Sequence, residues 1–178
     1  VAQAPQAKLL EYGHPLGYLP LRQALQVLLA ELEIDAPPSR ILLTDGGTQA
    51  IDLVNRHLLQ PGDAVLVDDP GYFNFHANLR AHRAVALPVP RQPDGPDLDA
   101  MEALARTHKP KLYLMNAAPQ NPTGGGLSPA KAHRLLQLAE AADFRIVEDD
   151  IFAAFRRQPT PILAALDGGD RKVVFDLT

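Results

Sequence analysis

No cysteine occurs among the 178 residues, which excludes disulfides, iron–sulfur clusters and thiolate zinc sites and fits a reducing compartment. There is no apolar run near the ~20 residues that cross a bilayer. The N-terminal stretch "VAQAPQAKLL" lacks the charged, apolar and cleavage regions of a signal peptide. A cytoplasmic location and no membrane partner are therefore expected. A large excess of one charge is also lacking: the formal net charge is −4 and the lysines and arginines are scattered rather than striped, which is not the footprint of a nucleic-acid surface. The chain has no G-x-G-x-x-G, no glycine turn that continues into the G-K-[ST] of a phosphate loop and no H-E-x-x-H, so three common cofactor and metal motifs are missing. No internal repeat or low-complexity tract is present.

What remains is a sequence with 46% hydrophobic residues, enough for the core of one α/β domain. It begins with Val rather than Met, and a piece of a longer polypeptide is expected. Leu21, Leu25, Leu28, Leu29 and Leu32 recur at helical spacing after Pro20, which predicts an amphipathic helix ending at "DAPPS". Short Leu- and Val-rich runs then alternate with helical patterns. "RILLT", "AVLVD", "AVALPVP", "KLYLM", "RIVEDD" and "KVVFDL" read as strands. "TQAIDLVNRHLLQ", "FNFHANLRAH", "DLDAMEALARTH" and "SPAKAHRLLQLAEAADF" read as helices, with Asp97 and Ser128 as N-caps and Pro129 at a first helical position. "RQPDGP" reads as an exposed loop. The alternation predicts a three-layer α/β/α domain over residues 1–178, with a mostly parallel sheet covered on both faces. Ligands of such sheets sit at the C-terminal ends of the strands, where "TDGGTQ", "DDPGY", "NAAPQNPTGGG" and "EDD" fall.

These turns carry the candidate chemistry, each beside a plainer reading. "DGGTQA" places small residues at a helix start whose unpaired N–H groups can meet a phosphate, or it is simple turn chemistry. Tyr72 in "DPGY" can stack on a flat heterocycle, or it belongs to the core. The three carboxylates of "VEDD" follow a buried strand. They read as helix-start acids or as a metal site, but no companion His or carboxylate has ligand spacing, so no metal is expected. His57, His76 and His82 read as solvated or core side chains.

Taken in order, "YGHPLGYLPLR", "DGGTQAID", "DDPGYF", "NPTG" and "VEDDIF" resemble the large domain of fold type I pyridoxal phosphate enzymes, the aminotransferase class I/II family. "NPTG" after a strand with a downstream strand-end Asp is the specific part. The resemblance implies pyridoxal 5′-phosphate as cofactor and an amino acid or amine as substrate or effector. Gly47, Thr48 and Gln49 would cradle the phosphate, Tyr72 would stack on the ring, Asn121 would donate to the phenolic oxygen, and Asp149 would pair with the pyridinium nitrogen. Tyr12 would reach the phosphate of a neighbouring subunit, which implies a homodimer. Two departures accompany these matches. Phe152 stands where many members have a Tyr, and the lysine that carries the cofactor lies in an S-x-S-K motif past a strand resembling "VVFDL", beyond Thr178. Lys8, Lys109, Lys111 and Lys172 lie near a terminus or before strands, at the end remote from the site. This chain is accordingly expected to be inactive by itself.

The phrasing of "LLTDGGTQAIDLVNRHLLQPGDAVLVDDPGYFNF" and "IVEDDIFAAF" is similar to the aminotransferase-like domain of MocR-type regulators. These join a GntR-type winged helix-turn-helix to this fold and use the cofactor in effector sensing. DNA would then be bound by an N-terminal domain absent from this chain, not by this domain. A free-standing aminotransferase is the alternative.

Overall fold

The computed structural model of the protein describes residues 12–116, 119–152, 155, 160–168 and 173–176. The chain divides into two compact units, Val1–Thr44 and Asp45–Thr178.

In the first unit Pro20 opens α1 (Leu19–Glu31), where its missing N–H costs nothing. The helix ends as Glu33 takes a φ of 62° and the Ile34 N–H donates to the Leu29 carbonyl at 2.9 Å. Arg22 is buried because its guanidinium donates to the carbonyls of Gly17 and Pro38, at 3.2 and 2.6 Å. The expected strand "RILLT" does not form. A short 3-10 turn, Pro38–Arg40, precedes it, and residues 41–44 join no ladder. The run is apolar enough for a strand, but a strand also needs a neighbour for its N–H and C=O groups. Its bonds are turn and loop contacts instead: the N–H groups of Arg40, Ile41 and Leu43 donate to the carbonyls of Pro37, Pro38 and Leu16, at 2.8, 3.4 and 3.1 Å.

The second unit holds a six-stranded sheet in the order β3-β2-β1-β4-β5-β6. Its strands are β1 (Ala64–Asp69), β2 (Val85–Gln92), β3 (Gly95–Pro96), β4 (Leu112–Asn116), β5 (Arg145–Asp149) and β6 (Val173–Asp176). All neighbours are parallel except β2 and β3. The sixth strand is thus not "RILLT" but β3, built from the "RQPDGP" segment expected to be an exposed loop. Pro93 and Asp94 turn the chain back so that Gln92 faces Gly95 and Arg91 faces Pro96, and Gly95 and Pro96 are buried. Gly95 is required there: its φ is 135°, and a Cβ would meet Leu127 Cδ1 at 2.9 Å. Over the rest of its length β2 has no second neighbour among the described residues, and it carries the exposed residues Pro88 and Pro90.

Side-chain alternation sends the two faces of the sheet to two helical layers. Leu66, Tyr113, Met115 and Ile146 pack under α4 (Leu98–His108), α5 (Pro129–Ala142) and α6 (Leu163–Leu166). Val65, Val67, Leu112, Leu114 and Val147 pack under α2 (Gly47–Leu58) and α3 (Phe73–Ala81). The expected caps are in place: the Asp97 carboxylate accepts from the N–H groups of Asp99 and Ala100, and the Ser128 hydroxyl accepts from that of Lys131. Asp52 ties α2 to α3 by accepting from Arg56 at 2.7 Å and pairing with His82 at 2.8 Å. The hydrogen bond from Arg56, followed by that from His82, holds this carboxyl below its ordinary value. A lowered carboxyl stabilises the fold above its unfolded value, and that contribution is lost as pH falls through the folded one. Asp52→Asn is expected to lower the melting temperature at pH 7, with the difference from the parent chain closing below about pH 4; a pH series of thermal melts checks it.

Candidate functional site

Residues 59–63 join α2 to β1, so the C-terminus of α2 lies by the N-terminal end of that strand. Ile51, Val54 and Leu58 along α2 pack against the strands, so its 12 residues run back over ~18 Å along the sheet and bring Gly47 toward the edge where the strands end. Gly46, at a φ of 83°, makes the turn into the helix. Helix geometry leaves the first N–H groups, those of Gly47 and Thr48, without intrahelical partners and at the positive end of the dipole. The Gln49 N–H donates to the Gly46 carbonyl at 3.1 Å, and its side-chain carbonyl accepts from the Asp45 N–H at 2.6 Å. Gln49 therefore braces the turn, and Gly47 and Thr48 are the donors left open among the described residues.

The same edge carries the ends of β1, β4 and β5. Asn116 and Asp149 are direct register partners, and both share the α2/α3 face with Leu114 and Val147. Both are buried, and the Asn116 amide donates to Asp149 Oδ2 at 2.7 Å while the Ile151 N–H donates to Oδ1 at 3.2 Å. Asn116 Oδ1 is buried and has no hydrogen-bond partner among the described residues. One position earlier the pleat turns the side chain over. Glu148 lies on the other face and accepts from the N–H groups of Leu163 and Ala164, both at 3.0 Å. The acidic run thus divides: Glu148 holds α6, and Asp149 faces the α2/α3 side.

Tyr72 enters from β1 and packs against the α2/α3 core. Its ring makes edge contacts with Phe73 and Phe75 at 5.1 and 5.5 Å, and its hydroxyl accepts from Asn74 at 3.0 Å. Gly71 makes this approach possible, because a Cβ there would lie 2.3 Å from the Asp68 carbonyl oxygen. Phe152, in place of the family Tyr, packs edge-on against Phe155 at 6.3 Å.

Asn121 sits in the loop leaving β4 and is half-buried. The loop's hydrogen bonds are made by its neighbours, so the Asn121 amide has no partner among the described residues. Its predecessor Gln120 is fully buried, a placement that the sequence did not suggest. Beneath the loop, on the α4/α5 face, Asp68 pairs with Arg91 at 2.9 Å and accepts from the Tyr113 hydroxyl. Burial pushes the Asp68 carboxyl up, against the opposing pull of Arg91, Tyr113 and Gln120. Burial and the Asp68 charge push Tyr113 well above its ordinary value, which keeps its hydroxyl a donor.

Tyr12 belongs to the first unit and is fully exposed. Lys109 and Lys111 precede β4, at the sheet edge remote from the strand ends. Lys8 and Lys172 lie outside the described residues. Lys131 lies in the first turn of α5, on the opposite face from Asp149, and is engaged by Asp94 at 2.8 Å and Gln92 at 2.6 Å. Among the described residues no helix is long and apolar enough to cross a membrane.

Over residues 2–175 the sequence matches the family described as aminotransferase class I and II. The 2-aminoadipate transaminase of Thermus thermophilus is 38% identical over 144 residues, covering 80% of this chain and 35% of that protein. The probable rhizopine catabolism regulatory protein MocR of Rhizobium meliloti is 29% identical over 164 residues, covering 90% of this chain and 32% of that protein. Among solved structures, LysN, an alpha-aminoadipate aminotransferase from Thermus thermophilus complexed with N-(5′-phosphopyridoxyl)-L-leucine, aligns with a TM-score of 0.84 at 31% identity, over 93% of this chain and 42% of that one. The chain spans less than half the length of each of these proteins.

Proposed function

Since the chain belongs to the aminotransferase class I and II family, we propose that it is part of a large domain that holds pyridoxal 5′-phosphate at the C-terminal edge of its sheet, as the amino acid- or amine-sensing part of a MocR/GntR-type regulator. The observation that carries the cofactor reading is the shared face: the Asp149 carboxylate, the Tyr72 ring and the N-terminus of α2 all belong to the α2/α3 side at one edge. The chemistry of this set fits the group. The N–H groups of Gly47 and Thr48, braced by Gln49, suit its phosphate. Tyr72 offers a ring face, Asn121 an amide with no other partner among the described residues for the phenolic oxygen, and Asp149 a carboxylate for the ring nitrogen. When bound, the cofactor supplies an electron sink for a substrate's Cα–H cleavage, and Asp149 keeps the proton on the ring nitrogen that this role requires. Tyr12, fully exposed, suits a contact with the phosphate of a second subunit in a homodimer. DNA contact belongs to a separate domain of the parent polypeptide.

A free-standing aminotransferase is the second reading, favoured by the 38% identity to a transaminase. Calorimetric titration of the chain with pyridoxal 5′-phosphate, pyridoxal and inorganic phosphate tests the cofactor reading. The phosphorylated cofactor is expected to bind, with pyridoxal about tenfold weaker for want of the charged contact at the helix N-terminus. Equal binding of the two would contradict the α2 assignment, and no binding of either would sink the reading. Amino-acid turnover by the parent protein supports the enzyme, whereas an amino-acid-dependent change in its DNA affinity supports the regulator.

A further inference from the structure

Gln120 joins two loops that the fold delivers separately. Its side-chain N–H group donates to the Pro70 carbonyl at 2.9 Å and lies 3.5 Å from Asp68 Oδ2. Its side-chain carbonyl accepts from the N–H of Thr123 at 3.0 Å and from the Thr123 hydroxyl. These partners fix the amide orientation, since acceptors surround the nitrogen and donors the oxygen. Its backbone closes the loop as well: the Gln120 N–H donates to the Gly125 carbonyl at 2.8 Å, and the Gly124 N–H donates to the Gln120 carbonyl at 2.6 Å. The far end of the loop is held by Arg91, which donates to the Gly126 carbonyl at 3.0 Å while pairing with Asp68. One circuit therefore runs from the Tyr72 loop through Gln120 and the Asn121 loop to Arg91 and back to Asp68.

A residue that only filled space here would be apolar, because a buried amide must have its donors and acceptors matched to avoid a penalty. We propose that Gln120 is a positioning residue that locks the loop bearing Asn121 to the loop bearing Tyr72, so that the two contacts to a bound ring are set together. This rests on the cofactor reading above for its ligand, but the lock itself is a property of the protein alone. It has no part in the phosphate contact, which α2 supplies from its own backbone.

The test replaces Gln120 by Met, similar in size and without the amide, and uses Thr123→Val as a milder variant that loosens the same clamp from the loop side. Far-UV circular dichroism first establishes that each variant is folded. In the ligand-free chain, hydrogen exchange is expected to quicken about tenfold in Gln120→Met at the Gly124 N–H and also at the N–H of Phe75, which is bonded to the Tyr72 carbonyl. Faster exchange confined to residues 120–126 would overturn the lock even if the cofactor never binds. With ligand, the affinity for pyridoxal 5′-phosphate is expected to fall about tenfold while that for inorganic phosphate stays unchanged. The Asn121→Ala effect should also shrink in the Gln120→Met background. Fully additive losses from the two substitutions, or an equal loss for inorganic phosphate, would overturn the positioning role. Thr123→Val is expected to show the same pattern at smaller size, and a parent-like result in both variants would refute the proposal.

Discussion

Asp149→Asn is expected to weaken pyridoxal 5′-phosphate binding about tenfold, the difference between a charge-assisted and a neutral hydrogen bond. It should also move the absorption of the bound cofactor to that of an unprotonated ring. The fold should tolerate the change. The new amide would face the Asn116 amide with a donor, but Asn116 can rotate by 180° and offer its Oδ1, which has no partner among the described residues. The Ile151 N–H keeps an oxygen to bind. Asp150→Asn should change neither affinity nor spectrum, because Asp149, not Asp150, closes β5 as the register partner of Asn116. Titration calorimetry and absorbance spectra of the two variants check this, and reversed effects would move the assignment by one residue.

The largest loss of stability is expected from Asp68→Leu. Asp68 and Arg91 side chains are 2% and 1% exposed, so removing the carboxylate leaves a guanidinium buried without its counter-charge and the Tyr113 hydroxyl without its acceptor. Breaking such a pair from one side costs ~3–5 kcal/mol, against a total of about 5–15 kcal/mol for an ordinary domain. Urea unfolding followed by circular dichroism should show a midpoint shift of that size or outright loss of folding. The double change Asp68→Leu with Arg91→Met should recover part of it, since no charge is then left buried without its counter-charge, while the Tyr113 hydroxyl still lacks its acceptor. A single variant as stable as the parent would mean that water reaches Arg91.

The features legible in the sequence were those decided locally. Ser128 before Pro129, Asp97 two residues before Asp99, and the alternation of β4 and β5 need only neighbouring residues to be read. In sequence Glu148, Asp149 and Asp150 form one acidic run, and the pleat of β5 separates Glu148 from Asp149 only in the structure. The misses depend on distant partners. "RILLT" has the composition of a strand but no ladder among the described residues, whereas Gly95 and Pro96, poor strand formers, pair because a two-residue turn folds them onto Arg91 and Gln92. Arg91 falls in the "RQPDGP" segment that reads as an exposed loop, since charged side chains usually lie at the surface. Arg91 did carry a faint signal: it follows Leu87 and Val89 at the inward parity of β2. Nothing local marks Gln120, whose burial depends on Pro70 and Asp68, about fifty residues upstream.

Pro88 and Pro90 lie on the part of β2 that β3 does not cover, and their spacing has a bearing on association. Within a strand the N–H and C=O of one residue point the same way, so residues of alternate parity serve opposite neighbours. The Pro90 carbonyl points outward, where it accepts from the Asp97 N–H at 2.8 Å, and Pro88 shares its direction. At both positions the outward donor is missing, because proline has no N–H. A strand from another molecule that approached this margin would find the Pro90 carbonyl already engaged, the Pro88 carbonyl without the alternating donors that a ladder needs, and next to them the β3 hairpin in its way. The sheet therefore has a built-in terminus on this side, and edge-to-edge stacking of copies into fibrils is blocked there by covalent structure rather than by charge.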